Sequence, residues 1–231
     1  MSKARPIRTL RRTTIYLFGM WVCVACHNEI CFAFGDGDFQ FWSTAGVSFR
    51  LNKDWTGTVE ERLKFGNDAG HLYLHQTDLG FVYGSLADWI DIGFNFKQSF
   101  REDRDGHWSR ENRPHLNVTF KGRLGTLDVS DRSRLEYRDK EHQEDLWRYV
   151  NKFEIKLPCE LTAFRFRPYV ADLVYINLQG HAFEQNRIYC GVTFDLSKNV
   201  ESGLYYAWQL GKYDGHWIDR NAIGLQIKIP F

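Results

Sequence analysis

The stretch AIGLQIKIPF (Ala222–Phe231) sets Ile223, Leu225, Ile227 and Ile229 on one side of an extended chain and Gly224, Gln226 and Lys228 on the other. Side chains alternate across a strand with period two, so this reads as a strand with one apolar face that ends on an aromatic ring. The same alternation runs back to about residue 38. Ile90, Ile92, Phe94 and Phe96 oppose Asp91, Gly93, Asn95, Lys97, Ser99 and Arg101. Leu116, Val118 and Phe120 oppose His115, Asn117, Thr119 and Lys121, and Tyr169, Leu173 and Tyr175 oppose Asp172. Eleven strands are predicted, near 38–51, 54–66, 71–85, 88–103, 107–123, 126–139, 145–158, 164–178, 183–198, 200–212 and 216–231. No stretch has helical periodicity.

Soluble sandwiches and barrels alternate too, so the pattern alone does not place the protein. Three features point to a bilayer. The predicted strands run about 13–17 residues, against a usual mode of about 5–6 in soluble proteins. Trp55 and Trp89 each follow a tight turn directly, where an interfacial aromatic girdle belongs. The closing Phe231, with apolar residues at every second position before it, resembles the terminal signature read by the outer-membrane barrel assembly machinery. Within hydrocarbon a sheet edge has no partner, so such strands must close on themselves. The fold expected is all-β: a single antiparallel up-and-down transmembrane β-barrel. Tight turns (LNKDW, SLADW, KGRLG, LPCELT, LSKNV) alternate with more polar loops, as in an outer-membrane barrel. Bacterial single-chain barrels favour even counts with both termini periplasmic. That predicts about 12 strands (10–12), the twelfth drawn from Cys26–Gln40.

The N-terminus reads differently. Lys3, Arg5, Arg8, Arg11 and Arg12 precede the apolar run IYLFGMWVCVA (Ile15–Ala25), which is too short to span a bilayer as a helix. This is the pattern of a cleaved signal peptide over 1–35, or alternatively 1–25, leaving 36–231 as the barrel domain. Cys26 after CVA faintly resembles a lipoprotein box. Cys159 and Cys190 are expected as free thiols, since one falls in a turn and the other in mid-strand.

The formal net charge of +1 and the lack of any like-charge block argue against nucleic acid as a partner. The polar faces supply the candidate lumen residues: Asp78, Asp91, Lys97, Lys121, Arg132, Arg134, Arg138, Arg148, Asp172, Arg187 and Arg220, with Glu60, Arg62, Glu136, Lys152 and Glu154 beside them. Their arginines would bias a polar path towards anions. The bland alternative is that they pair across strands and plug the barrel. Trp55, Trp89, Ile223, Leu225, Ile227, Ile229 and Phe231 are the candidate lipid-facing and girdle residues. HLYLH (His71–His75) places His71, Tyr73 and His75 on one face, about 13 Å separating the histidines, too far to share a metal. FGDGDF (Phe34–Phe39) lacks the twelve-residue calcium loop. No catalytic residue, metal or cofactor is expected, although His75 or His115 with Ser130 or Ser133 would be the place to look for lipid chemistry.

The order DFQFW, VEERLKF, HQTDLGFVY, RSRLEYR, FRPYVADLVY, NRIYCGVTF and NAIGLQIKIPF resembles an uncharacterised bacterial outer-membrane barrel family, domain of unknown function 2490, over most of the chain from Asp38 onward. The resemblance implies a barrel in the Gram-negative outer membrane and supplies no activity. Asp131 departs from the pattern, falling where an apolar residue is expected. The function expected is a narrow porin-like channel for small polar solutes. The alternatives are a closed structural or assembly barrel and a lipid-modifying outer-membrane enzyme.

Overall fold

The computed structural model describes residues 36–103, 105–158, 165–180, 182–213 and 215–231. Eleven strands follow one another: β1 (Asp38–Arg50), β2 (Trp55–Gly66), β3 (His71–Ala87), β4 (Ile90–Glu102), β5 (Trp108–Leu124), β6 (Leu127–Lys140), β7 (Leu146–Lys156), β8 (Arg167–Asn177), β9 (Ala182–Ser197), β10 (Val200–Tyr213) and β11 (His216–Pro230). Each pairs antiparallel with its successor, and the sheet closes into a barrel where β1 meets β11. That last pair is parallel and in register from Asp38↔Arg220 to Ser48↔Pro230. Hydrogen bonds extend it past both ends, with Gly37 N donating to Asp219 O at 3.0 Å and Phe231 N to Ser48 O at 2.8 Å.

The expectation of about 12 strands is therefore corrected to 11. The two edges satisfy each other's backbone groups, which leaves no gap for a further strand. Asp38, Phe39 and Gln40, assigned to that extra strand, belong to β1, and Cys26 to Gly35 lie outside the described residues. An odd count forces first and last strands to run the same way.

The predicted alternation of tight turns and longer loops holds only in part. Two-residue connections join β3 to β4, β5 to β6 and β9 to β10, but also β10 to β11 at the opposite end. LPCELT, read as a tight turn, lies in the ten-residue connection between β7 and β8.

Outward faces are apolar in rows. Phe81, Phe94 and Leu116 are neighbours across β3, β4 and β5, exposed by 54%, 53% and 39%. Trp55 packs tilted against Tyr83 (5.1 Å between centroids) and Trp89 stacks on Phe120 (6.0 Å) beside the turns at one end. Ile223, Leu225, Ile227 and Ile229 continue the outward row on β11, and Phe231 is the most exposed large apolar side chain described. Inside, Trp42 packs with Ala207 and Ala222 against Tyr189 and Tyr205. Interior glycines make room for these rings: a Cβ on Gly224 would lie 2.0 Å from the Tyr205 ring.

Candidate functional site

The interior is built by strand parity. Even-numbered positions of β2 and β3, from Thr58 to Lys64 and from Leu74 to Val82, line a cavity of about 490 Å³, as do odd-numbered positions of β4 and β5. Twelve lining residues are Lys or Arg and four are Asp or Glu. The acids each hold at least one cation. Lys97 Nζ lies 3.1 Å from Asp78, Arg62 donates to Glu60 at 2.8 Å, and Lys121 at the turn-end rim donates to Asp91 at 2.9 Å. Arg113 donates to both oxygens of Glu111 at 2.7 Å, and Arg138 donates to the same carboxylate. Arg148 and Arg134 share Glu136 at 2.6 and 3.2 Å. Lys152 pairs with Glu154 at 2.7 Å.

A polar chain links four strands, from β6 to β3, between these pairs. Arg134 Nε donates to Asn117, Asn117 to Asn95 and Asn95 to Asp78, at 2.6, 2.8 and 3.0 Å. His115 approaches the same Asp78 to 3.7 Å, and its Nε2 has no hydrogen-bond partner. The opposite wall is aromatic. Lys64 Nζ lies 3.4 Å above the Trp42 ring, and Arg187 Cζ lies 5.0 Å from that ring and 5.1 Å from Tyr175.

The structure therefore turns ten of the eleven candidate lumen residues inward. The exception is Asp172. On β8 it is Tyr169, Leu173 and Tyr175 that line the cavity, while Asp172 points outward and accepts from Asn186 at 2.5 Å. The expectation inverted this strand because it assigned aromatic residues to the outside. In a narrow barrel, rings also fill the inside. HLYLH is corrected as well. A register shift opposite Lys64 and Phe65 breaks the period, so Tyr73 turns in and donates to Gln40 at 2.7 Å. His75 turns out and bonds Glu61 at 2.7 Å.

Lys64, Arg113 and Trp42 were missed as lining residues, whereas Arg101, already placed on the polar face of its strand, was left out of the lumen candidates. Lys64 shares parity with Glu60 and Arg62, so VEERLKF already carried the signal. The residues considered for lipid chemistry do not converge. His75 faces out and His115 in, and Ser133 bonds Tyr149 on the outer face at 2.8 Å. Asp36 and Asp38 bond the chain itself: Asp36 accepts from Asp219 N, and Asp38 from Asp68 N and Gln40. Among the described residues no group of three His, Cys, Asp or Glu converges as metal ligands. Cys190 is an exposed free thiol, and Cys159 lies outside the described residues.

No curated protein matches the chain. A solved structure described as outer-membrane expressed OmpT of Vibrio cholerae is similar at 9% sequence identity and a TM-score of 0.39, over 71% of this chain. The chain spans 58% of the length of that structure. The family described as protein of unknown function DUF2490 matches residues 39–220, and the chain belongs to it.

Proposed function

We propose that the protein is an outer-membrane barrel whose lumen passes small polar solutes and favours anions. The observation that carries this reading is the contrast between its two surfaces. Rows of exposed phenylalanine, leucine and isoleucine cover the outside, and soluble monomers rarely expose such contiguous apolar area. The inside holds a polar cavity with eight more basic than acidic lining residues. Alternation of apolar-out and polar-in is the signature of a membrane barrel, and a cationic lining raises the local concentration of anions. On this reading the last strand is the contact for the barrel assembly machinery, and outer-membrane lipid covers the apolar rows.

A planar bilayer tests it. The detergent-refolded protein, shown folded by heat-modifiable gel mobility, is expected to give discrete conductance steps. A salt gradient is expected to give a reversal potential of the sign for anion preference. Silence from folded protein would overturn the passage reading. It would favour the second one, a closed structural barrel, which the contacts of Arg187 with Trp42 and of Arg148 with Tyr175 support.

A further inference from the structure

Polar side chains interrupt the outer face of the barrel on four neighbouring strands. Asn151 of β7 donates to Asp131 of β6 at 2.7 Å. Nearer the loops, Ser133 and Tyr149 share a hydrogen bond at 2.8 Å. Asn186 of β9 donates to Asp172 of β8 at 2.5 Å. Register joins the three pairs into one patch. Ser133, Asn151, Val174 and Asn186 are successive Cα partners across β6 to β9, and Asp131, Phe153 and Asp172 form the adjoining row. Four strands about 4.8 Å apart make the patch about 14 Å wide. Exposed apolar side chains enclose it: Phe120 on β5, Val170 and Leu196 towards the turns, and Leu135, Trp147 and Phe183 towards the loops. A second outward polar run, Glu61, Thr77, Gln98, Asn112 and Asp139, also follows one register row. That run climbs to the loop rim beside β6, so it opens to water and needs no protein to cover it.

Each pair in the enclosed patch uses only part of what it carries. Among the described residues, Asp131 and Asp172 each keep one carboxylate oxygen without a donor, Asn151 keeps a second amide N–H, and one hydroxyl of the Ser133–Tyr149 pair keeps its proton. Hydrocarbon offers such groups nothing, and polar side chains at membrane depth are satisfied by other protein groups. We propose that this outer face of β6 to β9 is the contact between two copies of the chain, packed about a two-fold axis along the membrane normal. Two copies inserted the same way meet on one face only about such an axis, and an isologous contact sets a patch against itself. The patch suits that arrangement because it holds spare acceptors and spare donors together, so the amide and hydroxyl protons of one copy can meet the carboxylates of the other. Anionic lipid headgroups fit it poorly: it carries two acids, and every Lys and Arg of β6 to β9 has inward parity. The inference rests on the membrane reading and adds a partner to it.

The test is a crosslink in phosphatidylcholine vesicles at low protein density. Val174 lies between Asn151 and Asn186 in register, so two copies meeting on this face bring it near its own counterpart. Val174→Cys in an otherwise cysteine-free barrel is expected to give a dimer band on a denaturing gel after mild oxidation. Val59→Cys, exposed on β2 across the barrel, is expected to remain monomeric. Changing Asp131, Asn151, Asp172 and Asn186 together to leucine is expected to lower the Val174 crosslink by about ten-fold or more, as loss of several interfacial polar contacts within a bilayer does. Should that quadruple variant fail to fold, Asp172→Leu with Asn186→Leu makes the same test, because a two-fold contact loses that half twice. Equal crosslinking at Val174 and Val59, or crosslinking untouched by the leucine substitutions, overturns the proposal. A barrel that floats with the vesicles but gives no Val174 crosslink overturns the dimer, leaves the membrane reading standing and hands the patch to lipid or a different protein. A folded barrel that does not float with lipid overturns the membrane reading and the dimer with it.

Discussion

Glu136 is the most demanding single residue of the interior. It is 2% exposed and its carboxylate holds two guanidinium groups, Arg148 through Nε and Nη2 and Arg134 through Nη1. Removing one partner of a buried pair leaves the other charge uncompensated, which costs about 3–5 kcal/mol. Glu136→Gln keeps the shape and removes the charge, so it isolates that effect. It is expected to lower unfolding free energy by about 3 kcal/mol in a urea titration of the barrel in vesicles, followed by tryptophan fluorescence. Asp128→Asn, in the exposed pair with Arg123 beside the β5–β6 turn, is expected to change it by less than about 1 kcal/mol. Equal effects would mean that burial does not set the strength of these pairs. Most charged interior residues could be read from sequence because charge and period two together define a face. Asp172 could not, since one acid against three aromatic or aliphatic neighbours gives the wrong sign when both faces of a strand carry rings.

At the scale of the strand, glycine and tyrosine act as pairs across neighbouring strands. Tyr205 of β10 lies over Gly224 of β11, its Cα partner, and Tyr169 and Tyr205 both crowd Gly191 of β9. The sheet bends closely enough for the rings to fill the space that a side chain would take. Gly224→Val must push the Tyr205 ring off this seat. Overpacking of this kind costs about 1–3 kcal/mol, and Tyr205→Ala in the same chain is expected to recover at least half of it by making room. If the double variant is no more stable than Gly224→Val alone, the ring contact is not the cause. Strand existence was readable from alternation, and all eleven predicted strands occur. The break at Leu72 to Leu74 was not, because a bulge leaves the residue types of HLYLH unchanged and shifts only the face each one shows. Asp131 needs no such break. It faces out in unbroken register with Phe120 and Phe153 and accepts from Asn151 at 2.7 Å, so one polar atom of each is satisfied within the pair.

For the molecule as a whole, closure is the property that sequence carried least. An antiparallel neighbour announces itself through the turn that joins the two strands. A parallel pair between the first and last strands has no connecting turn, so nothing local distinguishes it from one more missing strand. Parallel pairing is also slightly weaker per residue, which makes the β1–β11 seam the place where an eleven-strand and a twelve-strand barrel differ most. Ala45 and Ile227 are Cα partners across it, and both have outward parity. Directly paired strands lie about 4.8 Å apart, within the Cα separation of about 4.4–6.8 Å that a disulfide requires. An intervening strand would double the gap and forbid the bond. With Cys159 and Cys190 replaced by alanine, the Ala45→Cys, Ile227→Cys variant is therefore expected to crosslink under mild oxidant. Its heat-denatured band would migrate faster without reductant than with it. Ala45→Cys paired with Leu204→Cys, whose strand is β11's other neighbour, is expected to stay reduced. Crosslinking confined to the first pair fixes direct β1–β11 closure. Its absence from folded protein would return the barrel to an even count and open the seam to a further strand.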